Sequence, residues 1–204
     1  MTQSTHTVSG DFDLTMDELR VVTRYVVRHA EDTLSVFERT LPDDPRPRVA
    51  IDAAWEFING ADRTNLQRVT SVEAHRAARS APTEAARLAA RSAGDAASAA
   101  YLHPIAQAGQ IGHILRACAN AARIGEIEAG GDPAIVDALM ERSRQRATPV
   151  LIDVLCRYPL ATGGSSRVAR LMSTLDHSLR QAADRPPGHT VASGPDVRGK
   201  TCTS

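Results

Sequence analysis

Aromatic residues make up only 3% of the sequence, with three Phe, three Tyr and one Trp. Aliphatic side chains and alanine must therefore fill any core. Cysteine is scarce as well. Cys118, Cys156 and Cys202 stand far apart, an odd number without C-x-x-C spacing, which argues against a disulfide framework or a zinc knuckle. Lys200 is the only lysine, all other basic residues being arginine, a bias that GC-rich codon usage accounts for. Neither sign of charge is in excess: 24 basic and 24 acidic residues give a net charge of zero. A chain without a basic surplus is not built for general nucleic-acid binding. Residues 1–13 carry no basic n-region and no apolar h-region, so a cytoplasmic location is expected. Residues 96–115 lack Asp, Glu, Lys and Arg and are long enough to span a bilayer. They contain His103, Pro104, Gln107, Gln110 and His113, and the reading is a segment buried inside a helical bundle.

Period-two alternation is also missing, and helix start and stop signals recur instead. The 204 residues fit one domain of the usual size, about 100–200 residues. The spacing predicts an all-α, multi-helix bundle of mostly antiparallel helices over residues 14–183, with disordered segments at 1–13 and 184–204. The first helix is expected from about residue 16 to 40, capped by Asp13 or Thr15 and broken near Glu31. Pro42-Asp43-Asp44-Pro45-Arg46-Pro47 then breaks the chain, and Pro47 opens a helix to about Asn59. Asp62 is expected to cap a helix reaching Ser80, and Pro82 to open one reaching His103. A helix over about 106–129 stops at Gly130-Gly131. Asp132-Pro133 and Thr148-Pro149 each read as a cap followed by proline at the first helical position. A last helix is expected over 167–183, capped by Ser165 or Ser166. From residue 184 Pro, Gly and Ser dominate and too few apolar residues remain to offset ordering entropy. Residues 74–100 hold 13 alanines among 27. Alanine favours helix and buries little area, so this alanine-rich pair of helices is placed at the centre, closely approached by its neighbours.

Motifs for specific chemistry are missing: there is no H-E-x-x-H, no phosphate-binding G-x-x-x-x-G-K-[ST], no G-x-S-x-G and no G-x-G-x-x-G after a strand. What remains is a candidate polar cluster. His75 and Arg79 share a helix face, as do Arg91 and Asp95, each pair four residues apart. His103 and His113 flank the uncharged run, and Glu38, Asp43, Asp44 and Arg46 surround the first break. One reading is a structural Arg–carboxylate and His network that pins the Pro42–Pro47 turn onto the alanine helices, since buried charges must be paired. The other is a ligand pocket or partner-facing patch. A metal held by His75, His103 or His113 with Asp44 or Glu38 has no helical ligand spacing behind it, and neither metal nor cofactor is expected.

Several of these residues stand in an ordered series. It comprises Phe37-Glu38, the 42–47 turn with Ala50, Ala74-His75-Arg76-Ala77-Ala78-Arg79, Ala89-Ala90-Arg91-Ser92-Ala93-Gly94, His113-Ile114-Leu115, Gly130-Gly131-Asp132-Pro133-Ala134 and Arg157-Tyr158-Pro159. This series, over about residues 14–183, resembles the actinobacterial "putative immunity protein" family, all-helical proteins grouped with the immunity proteins of bacterial polymorphic toxin systems. The family's usual histidine after the A-R-x-A-G stretch is Asp95 here. The resemblance implies binding and neutralisation of a cognate toxin by protein–protein interaction, without catalysis, nucleic acid or membrane, and leaves the oligomeric state open. The Asp43-Asp44 turn is the acidic candidate for steering toward a basic nuclease toxin. Two other readings are a small-ligand binder or enzyme with a pocket of His75, Arg79, Arg91 and His103, and a self-associating helical scaffold built on Trp55 or an exposed Ile/Leu stripe.

Overall fold

The structure, a computed structural model, describes residues 7–183. Within them eight α-helices form one bundle: α1 (Met16–Thr40), α2 (Arg46–Ile58), α3 (Asn65–Ser80), α4 (Glu84–Ala99), α5 (Gly112–Glu128), α6 (Pro133–Arg146), α7 (Pro149–Cys156) and α8 (Arg167–Ala183). The expected all-α bundle is the observed one. The expectations for residues 1–6 and 184–204 fall outside the described residues. Residues 7–13 are ordered, which the low apolar content of the segment did not suggest. Thr7–Val8 pairs antiparallel with Leu14–Thr15, Phe12 meets Tyr158 edge to face at 4.9 Å, and the Asp11 N–H donates to the Pro104 carbonyl at 2.8 Å.

The helix starts follow local chemistry. Thr15, not Asp13, caps α1 in a reciprocal capping box with Glu18, so two orphan N–H groups are satisfied at once. α1 runs unbroken past Glu31, which accepts the Trp55 Nε1–H at 2.7 Å from α2. No proline or glycine interrupts α1, so nothing forces the expected break. Thr64 rather than Asp62 caps α3, with Gln67 completing the box, and Thr83, not Pro82, caps α4. α4 ends at Ala99 instead of His103 because the chain tightens there: Tyr101 and Leu102 donate to the Ser98 and Ala99 carbonyls. α5 begins only at Gly112, after a 3-10 turn over Ala108–Ile111. Asp132, Thr148 and Ser166 accept N–H groups of α6, α7 and α8 as their spacing predicts.

α4 is the axis of the bundle. Ala86, Ala89, Ala90, Ala93, Ala96 and Ala97 are all fully buried, on several sides of one helix. Small side chains permit this because neighbouring backbones come close. At Gly94 an added Cβ would lie 2.8 Å from His75 Nε2, and the Ser71 hydroxyl donates to the Gly94 carbonyl at 2.8 Å. α3, the other alanine-rich helix, buries Ala74, Ala77 and Ala78 against α4 and keeps an outer face with Val69 and Val72 exposed. α5 runs antiparallel along the opposite flank of α4. Glu84 meets Arg123, Ser92 meets Asn120, Asp95 meets Arg116 and Ser98 meets His113 in register. Larger side chains, among them Leu19, Phe37, Phe57, Leu115, Leu151 and Leu175, complete the core around this layer.

Candidate functional site

The ten candidate residues separate into two groups. Around the α1–α2 turn, Asp44 accepts two hydrogen bonds from the Arg46 guanidinium, at 2.8 and 2.6 Å, and a third from the Arg46 backbone N–H at 3.2 Å, and Glu38 pairs with Arg48 at 2.6 Å. The Arg46 guanidinium holds the Asp44 carboxyl below its ordinary range. The Asp44–Arg46 pair closes the turn onto the start of α2 and Glu38–Arg48 joins α1 to α2, so neither pins the turn to the alanine helices. Of the turn's carboxylates Asp43 is exposed, while Asp44 and Glu38 face a neutralising guanidinium.

The second group sits on the layer formed by α3, α4 and α5. α4 reaches the surface along one line, with Glu84 and Arg91 exposed and Arg87 and Ser98 partly so. Helical spacing puts Asp95 on this same line, yet its side chain is 0% exposed. It is roofed by side chains from both flanking helices. Arg116 of α5 donates through Nε and Nη2 to both carboxylate oxygens, at 2.8 and 2.5 Å. His75 of α3 leans over the carboxylate with Nε2 3.8 Å from Oδ1. A buried carboxylate requires such a partner, and the bidentate fork of arginine is the strongest one available. Asp95 in turn raises the affinity of Arg116 for its proton.

His113 extends the cluster along α5, with Nδ1 3.2 Å from the Ser98 hydroxyl. Burial lowers the proton affinity of both His75 and His113 more than Asp95 restores it, so both rings are neutral at neutral pH. Arg79 and Arg91 are exposed at the rim and, with Arg116, act on His75 through their charge. His103 is exposed, its backbone tied to Gln110 and Tyr158. Arg91 and Asp95, four residues apart on one face of α4, do not pair with each other; Asp95 pairs with Arg116. Arg116, which the sequence reading overlooked, takes that place. Its signal was its position immediately after the uncharged run and three residues from His113.

No group of three or more His, Cys, Asp or Glu able to hold a metal occurs among the described residues. A cleft of about 130 Å³ lies elsewhere, between α1, α5 and α6, lined in part by His29, Asp32, Leu139 and Ser143. Trp55, considered for self-association, is engaged within the chain by Glu31 and by the guanidinium of Arg28, 4.8 Å from its ring centroid. No helix of the described residues is long and apolar enough to cross a membrane.

The described residues form a helical body with an ion-paired polar face, many of its charged groups held by one another. Residues 13–146 match the model of the Imm-5 like putative immunity protein family, about two thirds of the chain, and the protein belongs to that family. The match covers α1 to α6 and includes the whole second cluster; Arg157-Tyr158-Pro159 lies beyond it. Neither a curated protein nor a solved structure matches the chain.

Proposed function

We propose that this protein binds a bacterial toxin in the cytoplasm and neutralises it by covering the toxin's active site or an essential surface. The observation that carries this reading is the family match over the six-helix body. The geometry supports it in a second way. Three of the carboxylates that sequence reading singled out as possible chemistry are already committed: Asp95 to Arg116, Asp44 to Arg46 and Glu38 to Arg48. A carboxylate held by two charge-assisted hydrogen bonds is a poor general base, whereas a preordered polar face suits a tight interface that changes little on binding. Such a complex must bury at least ~1,200 Å² and be anchored by a few central residues.

The test is capture and rescue. The tagged full chain is used to pull down its partner from the native host, and the captured protein is expressed alone and together with this chain. Growth arrest by the partner alone, relieved by co-expression, is the expected result. A folded bait that captures no stoichiometric partner, or a partner whose toxicity persists on co-expression, refutes the reading.

A further inference from the structure

The Asp95 cluster carries more hydrogen-bond donors than its own acceptors use. Arg116 presents its Nε and Nη2 edge to Asp95, which leaves the Nη1 hydrogens available on a side chain that is 39% exposed. Neither ring nitrogen of His75 makes a hydrogen bond among the described residues; Asp95 Oδ1 lies 3.8 Å from Nε2, beyond hydrogen-bond distance. Arg79 stands one turn beyond His75 on α3, and Arg91 one turn before Asp95 on the antiparallel α4. Both are exposed, and neither joins an ion pair among the described residues. Arg123, Arg146, Arg157, Arg167 and Arg180 each hold a carboxylate, and Arg63 and Arg68 lie on the Tyr101 ring, whereas Arg79, Arg91 and Arg116 converge on His75. One face of a chain with zero net charge thus keeps an uncompensated positive charge, organised around a buried carboxylate that fixes the position of Arg116.

We infer that the face formed by His75, Arg79, Arg91 and Arg116 is the docking surface for an acidic segment of the partner protein, with partner Asp or Glu carboxylates taken by the free guanidinium edges. Two features select a protein carboxylate over a nucleic-acid backbone. The chain has zero net charge and no basic surplus, whereas phosphate tracking needs an extended basic stripe. The family match also points to a protein partner, whose carboxylates a guanidinium fork can take bidentately. The polarity is opposite to that expected from the Asp43-Asp44 turn: the partner surface is acidic, not basic. The identity of the partner as a toxin rests on the proposed function; the charge of its docking segment rests on the residues named here.

The experiment uses the full chain and a fluorescein-labelled octapeptide of glutamate, read by fluorescence anisotropy at low salt, with an octapeptide of glutamine as the neutral control. The glutamate peptide binds, the glutamine peptide does not, and added salt weakens binding. Arg79→Glu/Arg91→Glu lowers affinity by about tenfold or more, as expected for like charges brought together, and Arg79→Gln/Arg91→Gln lowers it by less. Asp43→Ala/Asp44→Ala leaves it unchanged. Both arginines are exposed, and an unaltered melting temperature confirms that the variants fold. Failure of the glutamate peptide to bind at millimolar concentration, or equal binding by the Arg→Glu variant, overturns the inference. Tighter binding of an oligothymidylate of equal charge overturns it in favour of nucleic acid, and saturation by micromolar inorganic phosphate overturns it in favour of a free anion. In the rescue assay, protection that survives Arg79→Glu/Arg91→Glu defeats this face and leaves the toxin reading intact. Absence of protection by the unaltered protein defeats the toxin reading alone, because peptide binding is scored independently.

Discussion

Removing either member of the Asp95–Arg116 pair should have unequal consequences, because the two side chains differ in exposure. Asp95 is 0% exposed and Arg116 39%. Arg116→Ala leaves a carboxylate buried with only a neutral His75 beside it, a loss of the kind that costs about 3–5 kcal/mol. Asp95→Asn leaves a guanidinium that turns into water and keeps a partial hydrogen bond, which costs about 1 kcal/mol. At about 2–4 °C per kcal/mol for a domain of this size, the first substitution lowers the melting temperature by roughly 10 °C and the second by only a few degrees. The double variant Asp95→Asn/Arg116→Ala should recover most of the difference, since no uncompensated charge remains. His75 adds a signature. Without Arg116 its ring, 3.8 Å from the carboxylate, becomes the nearest cation available to Asp95 and its proton affinity rises. Arg116→Ala should therefore lose less stability relative to the unaltered protein at pH 5.5 than at pH 7.5. Urea denaturation followed by circular dichroism at the two pH values reads all of these quantities. If Asp95→Asn proves as damaging as Arg116→Ala, or if the gap between Arg116→Ala and the unaltered protein is the same at both pH values, the account of a roofed carboxylate is wrong.

Two further outcomes follow from groups outside this cluster. His29 is buried between α1 and α6, with Nδ1–H donating to the Tyr25 carbonyl at 2.8 Å and Nε2 3.0 Å from the Ser143 hydroxyl; burial lowers its pKa from 6.5 to about 4. Above pH ~6.5 the ring is neutral in both folded and unfolded chains. Between there and pH 4 the unfolded chain binds a proton that the folded one refuses, so stability falls as pH falls, by about 3 kcal/mol over the window. A His29 ring resonance that shifts in NMR spectra between pH 7 and 5 would contradict this. At the N-terminal arm a Cβ added to Gly10 would lie 2.3 Å from the Pro104 carbonyl oxygen, a rigid backbone atom. Gly10→Ala should break the Asp11–Pro104 hydrogen bond and speed amide exchange in residues 7–13 by tenfold or more, while global stability falls by about 1–2 kcal/mol. Unchanged exchange there would show that the arm is held by something else.

Helix identity was legible because the chain states it locally. Thr15, Asp132 and Thr148 are caps at the right offset, and Pro47, Pro133 and Pro149 occupy first turns. The misplaced starts share one cause. Asp62 and Pro82 are good start signals by type, but Thr64 has Gln67 three residues on to close a box, and Thr83 is the residue that reaches the Ala86 N–H. The candidate site was half legible. Helical spacing placed His75 with Arg79 and Arg91 with Asp95, but spacing within one helix says nothing about which neighbour covers it. Asp95 found Arg116 across a helix boundary, where no local rule points. In the acidic turn the pairing is local, and Asp43 alone of its carboxylates stays exposed. Arg46 and Arg48 follow so closely in sequence that they neutralise Asp44 and Glu38 before any partner arrives.

The preference for arginine over lysine has a consequence at the alkaline end of the pH scale. Apart from His75, every cation in the ion pairs among the described residues is a guanidinium, which keeps its charge where a lysine ammonium would discharge, near pH 10.4. The groups through which base acts on stability are instead inside. Burial pushes the Cys118 thiol up to about 12 and carries the Tyr25 phenol well above its ordinary value. Above pH ~8.5 an unfolded chain gives up a thiol proton that the folded one retains, so stability drains away as the pH climbs. Base therefore destabilises this bundle through groups at its centre, where α1 lies against α5, while the arginine lattice around it is still fully charged.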